Sequence, residues 1–252
     1  MTDQSRQTKA ARRDEARRKR IELERRMARA RRNRTISIVV AVVVVAGVAV
    51  FALTRPENKS AANVRASGLL ASATAEATAA GCTDVKQIGP YQPEDQDRVH
   101  IGGSGGPTEM PALSTYPSVP PTSGPHSSTP LAAGVYPSAP PMDQVIHSLE
   151  HGAAIVWYDP NASGAALTEM QDFYRDPDVG SRVIVAPYDY PDQGAAGSLP
   201  PGTGMALVSW HHLETCTDVN VSAAFGFTAR YASPSYDGQD YLGDAPEPGA
   251  AL

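Results

Sequence analysis

Four of the six histidines in this 252-residue chain lie within about fifty residues of one another: His100, His126, His147 and His151. His147 and His151 enclose Glu150 in the run HSLEH. If this run is a turn of helix, residues four apart share a face and both imidazoles can bind one ion. If it is extended, the two rings are about 13 Å apart and cannot do so. Gly152, directly after the run, favours a short helix that ends at glycine.

Nitrogen and carboxylate ligands of this kind suit zinc or copper. His126, His147 and His151, with Glu150 or His100, are therefore candidate ligands of one metal ion. The alternative is a polar network without an ion, because imidazoles can also satisfy the backbone groups that an irregular loop leaves unpaired. Both interpretations bring the same side chains together, so convergence alone does not distinguish them.

The pattern H-x-x-E-H also occurs in inverted zinc peptidases, in which two histidines bind zinc and the glutamate is the general base. Glu150 would then be the catalytic residue. Such a peptidase needs the pattern on a long helix and a third ligand, for which Glu169 is the obvious downstream candidate. A strand is expected directly after HSLEH, so the sequence favours a protein without catalytic residues. A zinc-dependent hydrolase is the alternative.

The two cysteines, Cys82 and Cys216, are far apart in the sequence. In an oxidising compartment an isolated pair usually forms a disulfide. In the chain-entropy model, closing a loop of about 135 residues stabilises the fold by about 5 kcal/mol. Redox catalysis is the alternative, but neither cysteine has a partner at C-x-x-C spacing.

An apolar segment at residues 35–54 indicates the compartment. Residues 36–53 contain no charged side chain, and twenty helical residues span about 30 Å, the hydrocarbon thickness of a bilayer. The segment is longer than the apolar region of a cleavable signal peptide, so it predicts an uncleaved, single-pass transmembrane helix in the cell membrane. Residues 1–34 contain 14 Lys and Arg, which place the N-terminus in the cytoplasm and the rest of the chain outside.

Composition divides the remaining chain into segments. The basic cytoplasmic tail, residues 1–34, has no aromatic side chains for base stacking, so the expected partner is the lipid bilayer and not nucleic acid. Residues 55–81 are rich in Ala, Ser and Thr and predict a stalk. Residues 82–247 are expected to form one folded outer domain, followed by a tail at 248–252.

The outer domain is predicted to be an α/β (α+β) domain with a small mixed sheet, whose elements follow in the order β-α-β-β-α. Hydrophobic periodicity places strands at 153–158, 182–188 and 205–210 and helices at 166–175 and 219–231. Ten prolines between Pro107 and Pro141 predict an ordered loop wrapped on the body of the domain, not sheet interior.

Several of these motifs occur in one known family. Residues 99–160, with PPTSGPH, GVYPSAPP and VIHSLEHGAAIVWYDP, and a later strand ending at Trp210 resemble the bacterial domain-of-unknown-function 3105 family. The resemblance covers about residues 82–247 and implies a membrane-anchored outer domain of unassigned activity. Two positions depart from the family pattern: Ser127 stands where an aromatic residue is usual, and His211 where glycine is usual.

The sequence thus predicts a membrane-anchored, extracytoplasmic accessory or binding module of unassigned activity, with a histidine cluster that could hold zinc or copper. Other membrane proteins are the partners that such a module would have. A purely structural subunit of a membrane complex is a further alternative, because neither the motifs nor the resemblance names a reaction.

Overall fold

The computed structural model describes residues 60–252 and Met27. The predicted transmembrane helix at 35–54 and the basic tail at 1–34 lie outside the described residues. Within residues 60–252, no helix is both long and apolar enough to cross a membrane. Lys59–Leu252 form one compact unit.

A six-stranded mixed sheet is the centre of this unit. Its strands are β1 (Lys86–Gln87), β2 (Gly134–Val135), β3 (Ala154–Tyr158), β4 (Val183–Pro187), β5 (Met205–Ser209) and β6 (His212–Cys216). They lie in the order β1-β6-β5-β3-β4-β2. Strands β3, β4 and β2 are parallel, whereas β1, β6, β5 and β3 pair antiparallel. Because β3, β4 and β5 are buried along their whole length, the sheet is covered on both faces.

Helices cover the two faces unequally. The described chain contains α1 (Ala61–Ala79), α2 (Met142–Glu150), α3 (Ala165–Tyr174), α4 (Pro177–Gly180) and α5 (Val221–Tyr231). Neighbouring residues of a strand point to opposite faces. Val156 and Leu207 accordingly pack with residues of α1, α3 and α5, whereas Ile155 and Trp157 pack with α2 and the proline-rich loop. The histidines of α2 are therefore separated by the sheet from α1 and α5.

The predicted α/β class and mixed sheet are confirmed, with more strands than the sequence indicates. Strands β3, β4 and β5 and helices α3 and α5 lie where the hydrophobic periodicity places them. Strand β6 is an addition: it follows β5 through a two-residue turn and pairs with it from Ser209 and His212 to Met205 and Cys216. The hydrophobic periodicity does not predict this strand, because His212 and Glu214 are polar yet buried.

Residues 61–79, which lie in the predicted stalk, form α1 and pack along α5. The sequence offers few large apolar side chains here, but Ala66 and Leu69 are buried in the core. The two helices make their contact by approaching each other closely and not through large side chains. A Cβ added at Gly226 of α5 would lie 2.6 Å from the Cβ of Ala73, so only glycine allows this spacing.

Cys82 and Cys216 form the predicted disulfide. It joins the segment after α1 to the end of β6, with the two Cα atoms 3.8 Å apart and 134 positions between them in sequence. No free cysteine is present in the described part of the chain. The disulfide therefore connects the two ends of the sequence that forms the sheet.

The proline-rich loop is ordered and lies against α2. Leu113 and Leu131 are buried. Ser148 of α2 both accepts from the Leu131 amide and donates to the Leu131 carbonyl, each at 2.8 Å. Only the two residues of β2 join the sheet, at its edge, as the excess of proline requires. The loop contains His126 and thereby holds it beside α2.

Candidate functional site

Helix α2 places His147, Glu150 and His151 on one side of a single turn, as their spacing predicts. The helix ends at Glu150 with His151 as its C-cap, and Gly152 follows with φ of +84°. A Cβ at Gly152 would lie 2.8 Å from the Cβ of Ser233, so the turn into β3 requires glycine. The ring centres of His147 and His151 are 4.4 Å apart.

A short parallel bridge brings His100 beside His126. The Ile101 amide donates to the His126 carbonyl at 2.7 Å, and the His126 amide donates to the Val99 carbonyl at 3.1 Å. His126 is fully buried, whereas His100 is exposed. The ring centre of His100 lies 5.1 Å from that of His126 and 5.1 Å from that of His147, on which it stacks. All four histidines therefore meet on one face of the sheet.

One ligand atom from each of four residues lies within 4.8 Å of the other three: His100, His126, His147 and Glu150. Ligand atoms around tetrahedral zinc are about 3.4 Å apart, given metal–nitrogen bonds of about 2.0–2.1 Å. A contraction of at most about 1.4 Å between ligand atoms would therefore form a coordination sphere. His151 is not in this group, but its Nε2 lies 2.9 Å from the Nε2 of His147. The predicted set of residues is brought together, with His100 and not His151 closest to Glu150 and His126.

Backbone carbonyls fix the tautomers of three of the imidazoles. Each carbonyl lies 2.6–2.8 Å from an Nδ1 atom, and for His126, His147 and His151 in turn the acceptors are Gly124, Ser127 and Ala251. A carbonyl only accepts, so each Nδ1 must have the proton and donate. In the neutral ring, Nε2 then has no proton, and its lone pair can accept a hydrogen bond or bind a metal ion. Metal-binding histidines commonly have this arrangement, in which the second ring nitrogen donates to a carbonyl.

The Nε2 atoms make two contacts that this tautomer does not satisfy. The Nε2 of His126 lies 3.0 Å from Oε2 of Glu150, and those of His147 and His151 face each other at 2.9 Å. With every Nδ1 donating, each contact joins two lone pairs unless a proton or a metal ion lies between them. The cluster therefore requires additional protons or a metal ion in order to be stable.

Glu150 is an ionised carboxylate that is 4% exposed. Burial raises its pKa, but when His126 is doubly protonated, hydrogen bonds from His126 and Arg98 and the attraction of their charges outweigh burial and hold the pKa at about 2. Arg98 Nε donates to Oε1 at 3.0 Å. Because a general base should have a pKa near the working pH, this carboxylate is poorly matched to proton abstraction. It is suited to binding a cation.

The surroundings of His147 also favour cation binding. Burial lowers its pKa, and the neighbouring histidines lower it further, although the Ser127 carbonyl and Glu150 oppose them. The neutral form of imidazole is the form that binds metal. Glu150 and His147 are thus shifted in the directions that favour deprotonated ligands.

Arg98 is a site residue that the sequence analysis missed. It lies in a turn, two positions before His100, and its side chain reaches Glu150 only because this turn is placed beside α2. No local sequence pattern indicates that contact.

The C-terminal segment is the second missed part of the site. The Glu247 amide donates to the Glu150 carbonyl at 3.0 Å, and the Gly249 amide donates to the His151 carbonyl at 3.1 Å. Arg182 donates to the carbonyls of Ala250 and His151. The residues expected to form a tail at 248–252 thus orient His151, and no local sequence pattern indicates these long-range contacts.

Glu169, the candidate third ligand of a zinc peptidase, is remote from the histidines. It lies on α3, on the opposite face of the sheet, and forms an ion pair with Arg65 of α1. Helix α2 has nine residues and is not the long helix that such a peptidase needs. Glu169 is therefore not the third ligand, and within the described residues the H-x-x-E-H run does not lie on a long helix.

The turn between β5 and β6 sends its two histidines to opposite faces. His211 has a φ of +58°, a left-handed conformation that favours glycine. Its Nε2 lies 2.9 Å from Oδ2 of Asp97. The carboxylate of Asp97 also accepts a hydrogen bond from Ser123 Oγ at 2.6 Å. His212 instead packs against Tyr231 of α5. Neither residue belongs to the histidine cluster.

Comparison with known proteins agrees with the motifs. A family model described as "Protein of unknown function (DUF3105)" matches residues 109–247, which include His126, all of α2 and strands β2 to β6. No curated protein and no solved structure matches the chain. Since the matched residues make up more than half of the sequence, the chain belongs to the DUF3105 family.

Proposed function

We propose that the domain binds one transition-metal ion, zinc or copper, through His100, His126, His147 and Glu150, with His151 beside them. The observation that supports this most is the tautomer pattern. Three imidazoles donate from Nδ1 to backbone carbonyls, which leaves their Nε2 lone pairs directed into one cluster that contains a carboxylate.

A network without an ion is electrostatically less favourable. His126 would need a second proton in order to donate to Glu150, and His147 or His151 would need another at their shared contact. The rings of His126 and His147 are 5.0 Å apart, where two unit charges repel by about 3 kcal/mol at an effective dielectric constant of about 20. Arg98 adds a further positive charge beside Glu150. A metal ion among neutral imidazoles avoids the repulsion between the rings.

The ligand set of nitrogen and carboxylate atoms favours zinc or copper over a thiolate-preferring ion, because both cysteines are in the disulfide. The hydrolase alternative has less support, because the low pKa of Glu150 and its bonds to His126 and Arg98 make this carboxylate a poor general base. A purely structural subunit would have no need for convergent lone pairs.

We further propose that this domain is an accessory module outside the cell membrane, anchored by residues 35–54 with the N-terminus in the cytoplasm. The disulfide supports an oxidising compartment. Other membrane proteins would be its partners, and nucleic acid would not.

The metal proposal is tested on the full-length chain, purified in detergent. Protein stripped with a chelator is incubated with Zn²⁺ or Cu²⁺ and dialysed, and its metal content is measured by mass spectrometry. His126→Gln and His147→Gln each remove one proposed ligand and keep a polar side chain of similar size. His212→Gln is the matched control, because His212 lies on the opposite face of the sheet.

We expect about one ion per wild-type chain and per His212→Gln chain, and a loss of about tenfold or more in affinity for each ligand variant. Circular dichroism checks that the variants remain folded. A wild-type protein that retains no ion, or equal losses in all three variants, would contradict the proposal.

A further inference from the structure

A cavity of about 1020 Å³ lies on the other face of the sheet, between α1, α5 and the segment that follows α5. Large apolar side chains are rarely exposed among residues 60–252, and the two that are, Val64 and Leu242, both line this cavity. Their exposed fractions are 66% and 42%. Exposed apolar residues that gather at one concave surface indicate a binding site and not chance exposure.

Glu214 is a buried acidic residue in the lining of this cavity. It lies on β6 opposite Leu207 of β5, so it points to the same face as α1 and α5. Glu214 is only 8% exposed. Its carboxylate accepts no hydrogen bond from any described residue; burial and the nearby charge of Asp84 determine its electrostatics. A buried carboxylate without a partner is costly, so a ligand that pairs with it gains that energy on binding.

The rest of the lining has an excess of negative charge. Asp84, Glu214 and Asp237 are acidic, and Arg230 is the one basic side chain of the described lining. An anionic ligand would meet repulsion here, while a neutral apolar ligand would leave Glu214 unpaired and still remove water from it.

Aromatic rings complete the lining. Phe227 and Tyr231 stack with their ring centres 4.5 Å apart, and Tyr236 lies on the same side. Their large apolar area favours a ligand with an apolar body. The lining thus combines apolar and aromatic walls with an unpaired buried carboxylate.

We infer that this cavity binds a small amphiphilic cation, an organic ion with one positive centre and an apolar body. The positive centre pairs with Glu214, and the apolar body contacts Leu70, Phe227 and Leu242. Burial raises the pKa of Glu214 to about 7 because it destabilises the ionised form. A bound cation would stabilise that form. The site is independent of the histidine cluster, from which the sheet separates it.

Two isosteric ions test this inference: tetraphenylphosphonium is a cation, and tetraphenylborate has nearly the same shape and the opposite charge. The full-length chain is placed in nanodiscs of zwitterionic lipid because residues 36–53 are apolar. Binding is measured by equilibrium dialysis against the same discs without protein. We expect saturable binding of the phosphonium and none of the borate.

Variants test the charge assignment. Glu214→Gln keeps the shape of the cavity and should weaken phosphonium binding by about tenfold or more. Arg230→Gln removes the positive charge of an exposed side chain in the lining. This change should tighten phosphonium binding. Glu109→Gln, which changes an exposed carboxylate outside the cavity, is the control and should have no effect.

Several results would overturn the inference. They are the absence of saturable phosphonium binding, equal binding of the two ions, unchanged binding by Glu214→Gln, and weaker binding by Arg230→Gln. Glu214→Gln is expected to fold, because it replaces a buried carboxylate with a neutral side chain of the same shape. Thermal unfolding of each variant verifies this.

Discussion

Replacement of Glu214 by glutamine should stabilise the protein in alkaline solution and have little effect in acid. Burial, together with repulsion from Asp84, raises the pKa of this carboxyl from 4.5 to about 7. The unfolded chain has neither burial nor a fixed neighbour, so its pKa there is the ordinary value. The folded state therefore binds a proton that the unfolded state releases over this range of pH.

The sign and size of the effect follow from proton linkage. Below about pH 4.5 the carboxyl is protonated in both states and contributes no penalty. The carboxyl ionises near pH 4.5 in the unfolded state and near pH 7 in the folded state, so the free energy of unfolding falls as the pH rises between these two values. A pKa difference of about 2.5 corresponds to a maximum loss of about 3 kcal/mol, which is complete above about pH 8. Glutamine at this position does not ionise and should abolish the loss.

The assay is urea unfolding of the full-length chain with its disulfide intact, monitored by fluorescence of the buried Trp157 and Trp210. Wild type, Glu214→Gln and the exposed control Glu109→Gln are compared at about pH 4, 6 and 8.5. The stability difference between wild type and Glu214→Gln should grow with pH in favour of the variant, while the control should follow wild type. A difference that is constant with pH, or one that favours wild type in alkali, would refute the reasoning.

Three further predictions concern the helix contact, the disulfide and the topology. Gly226→Ala should lower the free energy of unfolding by about 1–3 kcal/mol, because the new methyl group meets Ala73, even though alanine is the better helix former; the same urea titration measures it. The double change Cys82→Ser and Cys216→Ser should cost up to about 5 kcal/mol through the loss of a long covalent loop, seen as a lower unfolding midpoint than in oxidised wild type. A reporter that is active only outside the cytoplasm, fused after Leu252, should be active, and activity of a cytoplasm-only reporter there would contradict the orientation.

Local patterns predict the parts of this fold that depend on neighbouring residues. The apolar runs of β3, β4 and β5 define strands because both faces of the sheet are covered, and the spacing of His147 and His151 defines one side of a helical turn. Strand β6 escapes the same reasoning. Its buried residues His212 and Glu214 are polar, so the strand has no continuous apolar run of the kind that predicts β3, β4 and β5.

Other features depend on contacts between distant residues. The composition of residues 61–79 predicts a weakly packed helix, because the close approach that Gly226 allows is not visible in α1 itself. Likewise, the histidine pattern indicates candidate ligands, whereas the fixed tautomers depend on carbonyls as remote as that of Ala251. The sequence thus predicts which residues form the candidate site, and only the tertiary structure determines which nitrogen of each ring faces its centre.

The disulfide also has a mechanical consequence. A pulling force applied between Ser60 and the residues after α5 would pass along α1 to Cys82, cross the covalent bond to Cys216 and leave through α5. The intervening residues lie inside a covalent ring that tension cannot lengthen. His100, His126, His147 and Glu150 are all inside this ring, whereas the contact between His151 and Ala251 spans its boundary. Tension on the domain would therefore pull Ala251 away from His151 before it separated the four converging ligand atoms.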